Sequence, residues 1–424
     1  MSLKKKGVAK TTYIAIIIAI IAIAAIGGMA YMYMRPAPPA KESIKVGISL
    51  SLSGGFAAPG QRQLWGLTMW VEDVNERGGI YVAEYGKKLK VQLIYYDDRS
   101  DSATATRLYE RLITEDKVDI LLGPYGSGIT LATAPIAEKY KVIMLSQMAA
   151  ADTIPEKGYD YVFTLLAVAS RFGLSRAELL DSLSPKPKTF ALLTSNELYP
   201  LTVARATKTL WEKAGYTGVF YEEYPRGVTD FSAILLRAKD ANPDVFYAVC
   251  YPADAFVIMR QMKDIKFAPK LIFLDDGPND PKFVEVFGKE AEGVFTQMSW
   301  HWELPFPGAK EFVDRFKARY NELPRHWSAY PYAAGQFIEK AIEKAGSLDS
   351  AKLRAAFLEL KDVPTIVGPV TFGDWTNPMG VKLKQINLGA INFGLQIQKG
   401  EMRVAIPRKY SSVDIIYPWP GWAS

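Results

Sequence analysis

The sequence holds one cysteine, Cys250, and two histidines, His301 and His326, in 424 residues. A single cysteine excludes an internal disulfide and a thiolate-ligated metal cluster. Cys250 lies in the apolar run DVFYAVC, where a small buried side chain is expected. Neither histidine has HxxxH spacing and neither lies near a strand-end loop in sequence, which argues against a zinc enzyme and a Ser/His/Asp hydrolase. Acidic residues are missing from the first 35 positions, which carry Lys4, Lys5, Lys6, Lys10 and Arg35. These cations account for most of the formal net charge of +6, so the rest of the chain is nearly neutral and has no electrostatic footprint for nucleic acid. No repeat period indicates a solenoid. The whole chain, 49% hydrophobic and 23% charged, has the balance of a folded protein with two or three domains.

One long uncharged stretch is present, the 23 residues from Thr12 to Met34. At ~1.5 Å per residue it can span a hydrocarbon core of about 30 Å. The lysines before it favour a cytoplasmic N-terminus, and Tyr31 and Tyr33 suit the outer interface. Residues 1–11 then form a cytoplasmic basic tail, 12–34 a single-pass anchor, and the chain beyond Arg35 is extracytoplasmic. Gly28, Met29 and Ala30 also fit a small-x-small cleavage site, so a removed signal segment and a secreted or periplasmic product is the second reading. No cysteine follows the stretch, which excludes a lipid-modified terminus. Residues 35–43, RPAPPAKES, read as a stiff spacer.

From Ile44 the pattern alternates between strands and helices. KVGISLSL is a strand, and the next segment places Leu64, Leu67, Val71 and Val74 on one helical face before Gly78 and Gly79 stop it. KLKVQLIYYDD and KVIMLS are further strands, and residues 101–116 form a helix with Leu108, Leu112 and Ile113 inward. In the acidic run Asp97, Asp98 and Asp101, the glycine and distal glutamate of a calcium loop are missing, which favours helix capping and solvation. A second series begins near Lys188, with strands TFALLTSN, DVFYAVC and KLIFLDD and helices at 201–213, 231–240 and 253–265. Helices are also expected at 309–320, 332–345 and 351–360, followed by strand-like segments from Val370 to Ile406. This order predicts an α/β protein with parallel-rich sheets flanked by helices. Ligands of such sheets sit beyond the carboxyl ends of the strands.

The stretch KVDILLGPYGSGITLATAPIAEKY, residues 117–140, carries the most pointed signal. A short buried strand ends in Gly123, Pro124, Tyr125, Gly126, Ser127 and Gly128, where a helix begins. Its free N–H groups and dipole favour an anion there. The GxxGxG spacing is neither a dinucleotide fingerprint nor a P-loop, and Tyr125 breaks the GxSxG pattern of a nucleophile elbow. A tight strand-to-helix connection with no ligand is the alternative.

Eight segments, in order, resemble the type I solute-binding proteins of ABC transporters, and within them the branched-chain amino-acid (Leu/Ile/Val-binding) subfamily. They are KVGISLSLSGGFAAPG, NERGGI at 75–80, YYDDRSD, LLGPYGSGIT, the loop 146–153, FSAILLRAK at 231–239, AEGVF at 291–295 and IVGPVTF at 366–372. The resemblance implies the two-lobed type I periplasmic-binding-protein fold, hinged by three crossings near 163–167, 296–300 and 372–381. Lobe 1 would comprise 44–164 and 297–372, and lobe 2 would comprise 165–296 and 373–424. It implies no enzymatic activity and no cofactor. The partners would be a small amino acid or analogue, an ABC permease with its ATPase subunits, and the membrane through the N-terminal segment. It places the Ser127 hydroxyl, with Tyr125, Gly126, Ala149 and Ala150 beside it, against the ligand carboxylate. Tyr199 and Tyr251 would close over the ligand from the other lobe, and Asp276 would receive its ammonium group. Ala150 stands where the family usually has threonine, and Asp276 where it more often has glutamate. A sensory or amide-binding receptor of the same fold is the first alternative, and an extracytoplasmic hydrolase with Ser127 as nucleophile is the second.

Overall fold

Seventeen strands are found among the described residues of the computed structural model, which are 15–17, 20–23 and 41–422. The first six are β1 (Ser43–Leu50), β2 (Ile80–Val82), β3 (Lys87–Asp97), β4 (Ile120–Leu122), β5 (Met144–Ser146) and β6 (Val162–Thr164). Five more follow: β7 (Thr189–Ser195), β8 (Thr217–Tyr224), β9 (Val245–Val249), β10 (Leu271–Leu274) and β11 (Phe295–Met298). After three helices come β12 (Val363–Thr365), β13 (Gly368–Val370), β14 (Phe372–Thr376), β15 (Lys382–Asn387), β16 (Phe393–Gln398) and β17 (Glu401–Ile406). Two large sheets result, with orders β14-β15-β6-β5-β4-β1-β3-β2 and β17-β16-β11-β10-β9-β7-β8. The neighbours β3-β1-β4-β5-β6 and β8-β7-β9-β10-β11 all run parallel. Their strands are apolar and buried, as a sheet covered by helices on both faces requires: β4, β5, β9 and β10 are buried at every position.

The pairing departs from the expected boundaries in two places. Strands β14 and β15 form the edge of the first sheet, where Ile386 pairs with Thr164 of β6. Residues 373–387 therefore belong with lobe 1, and the third crossing runs from Asn387 to Phe393 instead of near 372–381. A turn-rich hairpin gives no sign of which sheet edge it will join, because its alternation satisfies either. Likewise β11 continues in the second sheet to Met298, so the second crossing follows that residue. The expected tail 1–11 and most of the segment 12–34 and spacer 35–43 lie outside the described residues. Residues 15–17 and 20–23 are helical, and among the described residues no helix is long and apolar enough to cross a membrane.

The helices Ala57–Glu76 and His326–Ala345 bring the late part of the chain back onto the first sheet. They approach closely because two glycines stand at the contact. A methyl group on Gly335 would overlap the indole of Trp70, and one on Gly66 would overlap the Ser328 carbonyl. Gly335→Ala is therefore expected to destabilise the protein by about 1–3 kcal/mol, from overpacking that neither helix can relieve. A melting temperature equal to that of the parent would refute this.

The acidic run splits into different roles. Asp101 caps the helix Ser102–Thr114 by accepting from the Thr104 N–H at 2.7 Å. Asp98, contrary to the expectation of solvation, is fully buried and accepts from the hydroxyls of Ser49 and Ser51 at 2.7 and 2.6 Å. Burial pushes its carboxyl above the ordinary range despite those bonds. Among the described residues no group of three or more histidine, cysteine, aspartate or glutamate side chains is placed to hold a metal ion.

Candidate ligand-binding cleft

The carboxyl ends of the two parallel sheets point at each other, and a cavity lies between them. From the first sheet come Tyr125, Gly126 and Ser127 after β4, Met148 and Ala150 after β5, and Leu166 after β6. From the second come Tyr199 after β7, Tyr251 after β9, Asp276 after β10 and Gln297 within β11. The helix Ala169–Ser182 adds Phe172, the second crossing adds Ser299, and the helix His326–Ala345 adds His326 and Trp327. The cavity holds about 30 Å³ open to water, more than the ~10–15 Å³ that one water needs. That space is small for an amino acid, and separation of the lobes or turning of the lining side chains would enlarge it. Beside the cavity, Phe56 of the first lobe reaches across to the second. Its ring lies 4.9 Å from the Tyr251 ring and 5.1 Å from the Arg226 guanidinium, both from the second lobe.

Ser127 begins the helix Ser127–Tyr140, with Gly126 before it at φ 88°, a left-handed value that favours glycine. The Ser127 Oγ accepts hydrogen bonds from the backbone N–H groups of Ala150 and Ala151 at 3.2 and 3.1 Å. With both acceptor positions taken, its proton is left to be donated. That is the orientation a carboxylate oxygen needs. Ser127→Ala is thus expected to act twice. It removes a donor from the cleft, and it leaves two buried amides unanswered, at a cost of about 1–3 kcal/mol in stability. A variant that loses affinity with no loss of stability would contradict the second role.

Asp276 faces it from the other lobe, 4% exposed. Its Oδ1 accepts from Asn279 Nδ2 and Gln297 Nε2, both at 3.0 Å, which leaves Oδ2 for the cavity. Burial, and then the neighbouring Asp275 charge, push the Asp276 carboxyl up to about 8. Asp275 itself is turned into the lobe, where Arg176 Nη2 lies 3.0 Å from Oδ1, the Tyr247 hydroxyl donates to Oδ1 at 2.8 Å and the Tyr199 hydroxyl donates to Oδ2 at 2.5 Å. Burial raises its carboxyl and Arg176 acts against that. The two adjacent acids therefore divide the work: Asp275 holds the framework and Asp276 meets the cavity. Gln297 links them, donating both to Asp276 and to the Tyr199 hydroxyl at 3.0 Å, while its Oε1 accepts from Asn392 Nδ2 at 2.6 Å. Because Asn392 lies in the third crossing, the acid that faces the cavity is wired to the hinge.

Seven of the eight expected residues line the cavity: Tyr125, Gly126, Ser127, Ala150, Tyr199, Tyr251 and Asp276. Ala149 does not. It packs in a cluster behind the first sheet with Tyr109, Ala151 and Ile154, because Met148 and Ala150 on either side take the cavity face of an extended loop. Gln297, Phe172, His326 and Trp327 were not anticipated. The expected helix 332–345 starts six residues earlier, at His326, with Pro331 tolerated inside it. This brings a histidine into the cleft after all. Ser127 Oγ is nevertheless bonded to backbone amides and not to His326, so no nucleophile–base pair is formed.

Residues 43–384 match the model of a family described as periplasmic binding protein. The chain belongs to that family. Among curated relatives it is similar to Leu/Ile/Val-binding protein homolog 7 of Brucella abortus, 27% identical over 398 residues, which span 90% of this chain and 96% of the relative. Among solved structures, a leucine-binding protein from Thermotoga maritima superposes with a TM-score of 0.74 at 24% identity, covering 85% of this chain and 97% of the other. The branched-chain amino-acid transporter substrate-binding protein LivJ of Streptococcus pneumoniae, in complex with isoleucine, gives 0.73 at 23% identity, covering 86% and 99%. This periplasmic binding protein thus has the two-lobed α/β fold of those solved structures.

Proposed function

We propose that this chain captures a small amino acid or a closely related zwitterion outside the cytoplasm and delivers it to the permease of an ABC importer. Residues 12–34 would hold it at the membrane. The observation that carries the ligand reading is the division of polarity across the cleft. On one wall Ser127 has only its proton to offer, and on the other Asp276 presents a free carboxylate oxygen. An α-carboxylate and an α-ammonium group satisfy the two walls together, and neither wall alone holds both. Closure around such a ligand favours the joined arrangement of the lobes, which is how binding shifts the population that the permease meets.

A second reading, an aromatic acid without an amine, draws on Tyr125, Phe172, Tyr199, Tyr251 and Trp327 around the cavity and on an Asp276 held protonated below about 8. A thermal-shift screen against amino acids, amides, short peptides and aromatic acids separates the two, since a ligand that binds only the folded state raises the melting temperature. Free amino acids are expected to stabilise more than their amides. Equal shifts from acid and amide would remove the carboxylate from the reading, and a shift from aromatic acids alone would favour the second one.

A further inference from the structure

Two side chains that line the cleft carry polar atoms that an α-carboxylate and an α-ammonium group do not explain. His326 and Trp327, the first two residues of the helix His326–Ala345, are 4% and 1% exposed and both line the cavity. The His326 Nδ1 and the Trp327 Nε1 have no hydrogen-bond partner. The indole N–H leans toward the Tyr125 hydroxyl, enough to act against the burial that raises that phenol, but does not close a hydrogen bond. Just before them Arg325 is 5% exposed, with Nε and Nη1 also unpartnered. Burial, and then the charge of Arg325, push the His326 imidazole down to about 3, so it is neutral at working pH. This end of the cleft therefore holds buried polar groups without a partner among the described residues, next to a buried guanidinium.

An indole N–H can only donate, and a neutral imidazole offers one donor and one acceptor. A wholly aliphatic ligand side chain would leave these groups unanswered in the closed form, whereas an oxygen would meet them. Resting on the amino-acid reading above, we propose that the ligand side chain bears an oxygen that accepts a hydrogen bond, a hydroxyl, carbonyl or carboxylate, and turns it toward Trp327 and His326. These two residues would then set specificity within the cleft, on a different element from the one that receives the α-carboxylate.

Isothermal titration of the whole protein with matched pairs tests this: threonine against valine, tyrosine against phenylalanine, and asparagine and aspartate against leucine. In at least one pair the oxygen-bearing member is expected to bind about tenfold or more tightly, the effect of one buried polar group left without a partner. Trp327→Phe or His326→Phe should narrow that ratio severalfold. Affinities within about twofold in every pair, the result if solvent answers these groups, would overturn the inference while leaving amino-acid capture standing. A ratio unchanged in both variants would overturn it too, by placing the oxygen elsewhere. Binding of no amino acid at all would overturn the amino-acid reading and this inference with it. Should the variants fail to fold, the pairs measured on the parent protein still decide.

Discussion

Asp276→Ala is expected to weaken amino-acid binding by about 2–5 kcal/mol, since the ligand ammonium would then be buried without its charged partner. The fold should survive, because Asp276 leaves the framework bonds of its lobe to Asp275. The same residue predicts an unusual dependence on pH. Its carboxyl is raised to about 8, so below that value it is protonated, while an ammonium partner requires the carboxylate. Ligand binding must then release a proton, and affinity should rise about tenfold per pH unit up to about 8 before levelling. Stability without ligand runs the other way. From the ordinary carboxyl range near pH 4 up to about 8 the folded state holds a proton that the unfolded chain has lost, so stability falls as pH rises through that window. Titration calorimetry in buffers of different ionisation enthalpy would count the released proton. An affinity that is flat between pH 5 and about 8 would sink the role of Asp276 as the ammonium receptor.

The second large effect lies just behind the cleft. Arg176 and Asp275 are a fully buried ion pair, and the Arg176 guanidinium lies 5.0 Å from the Tyr247 ring and 4.9 Å from the Phe273 ring. Arg176→Met keeps the volume but strands the Asp275 carboxylate with two phenol donors, and it is expected to cost about 3–5 kcal/mol in unfolding free energy. Affinity should fall with it, because Asp275 also positions the Tyr199 hydroxyl. Adding Asp275→Asn to Arg176→Met removes the stranded charge and should recover part of the loss, a coupling read from a double-mutant cycle. Denaturant unfolding that shows Arg176→Met as stable as the parent would refute this account of the lobe.

Much of the cleft was legible because strand ends announce themselves. Gly123 to Gly128 breaks a buried strand and opens a helix, and Ser127 is the one aliphatic hydroxyl in that turn, so its place followed from local chemistry. Tyr199, Tyr251 and Asp276 follow apolar runs in the same way. Asp98 was misjudged since an acid in a polar run looks solvated until Ser49 and Ser51 are seen to surround it. Ala149 falls between Met148 and Ala150, the two residues of its loop whose side chains line the cavity. Gln297, Asn392 and the pair His326 and Trp327 carried no local signal. Gln297, His326 and Trp327 line the cavity from a strand interior and a helix start, and Asn392 in a crossing bonds to Gln297 from 95 residues away.

The sequence by itself determined the two alternating α/β series, the nearly neutral fold behind a basic, apolar N-terminal stretch, and the anion-favouring turn at Ser127. Each depends on neighbours in the chain, where period, turn chemistry and helix dipole act over a few residues. Only the tertiary structure decided which sheet the hairpin β14–β15 joins, that Asp275 turns away from the cavity that Asp276 lines, and that a histidine and a tryptophan with unpartnered nitrogens also line it. Those outcomes depend on burial and on partners distant in sequence, because desolvation and a few hydrogen bonds, and not the residue type, set what a buried carboxyl or an indole N–H can do.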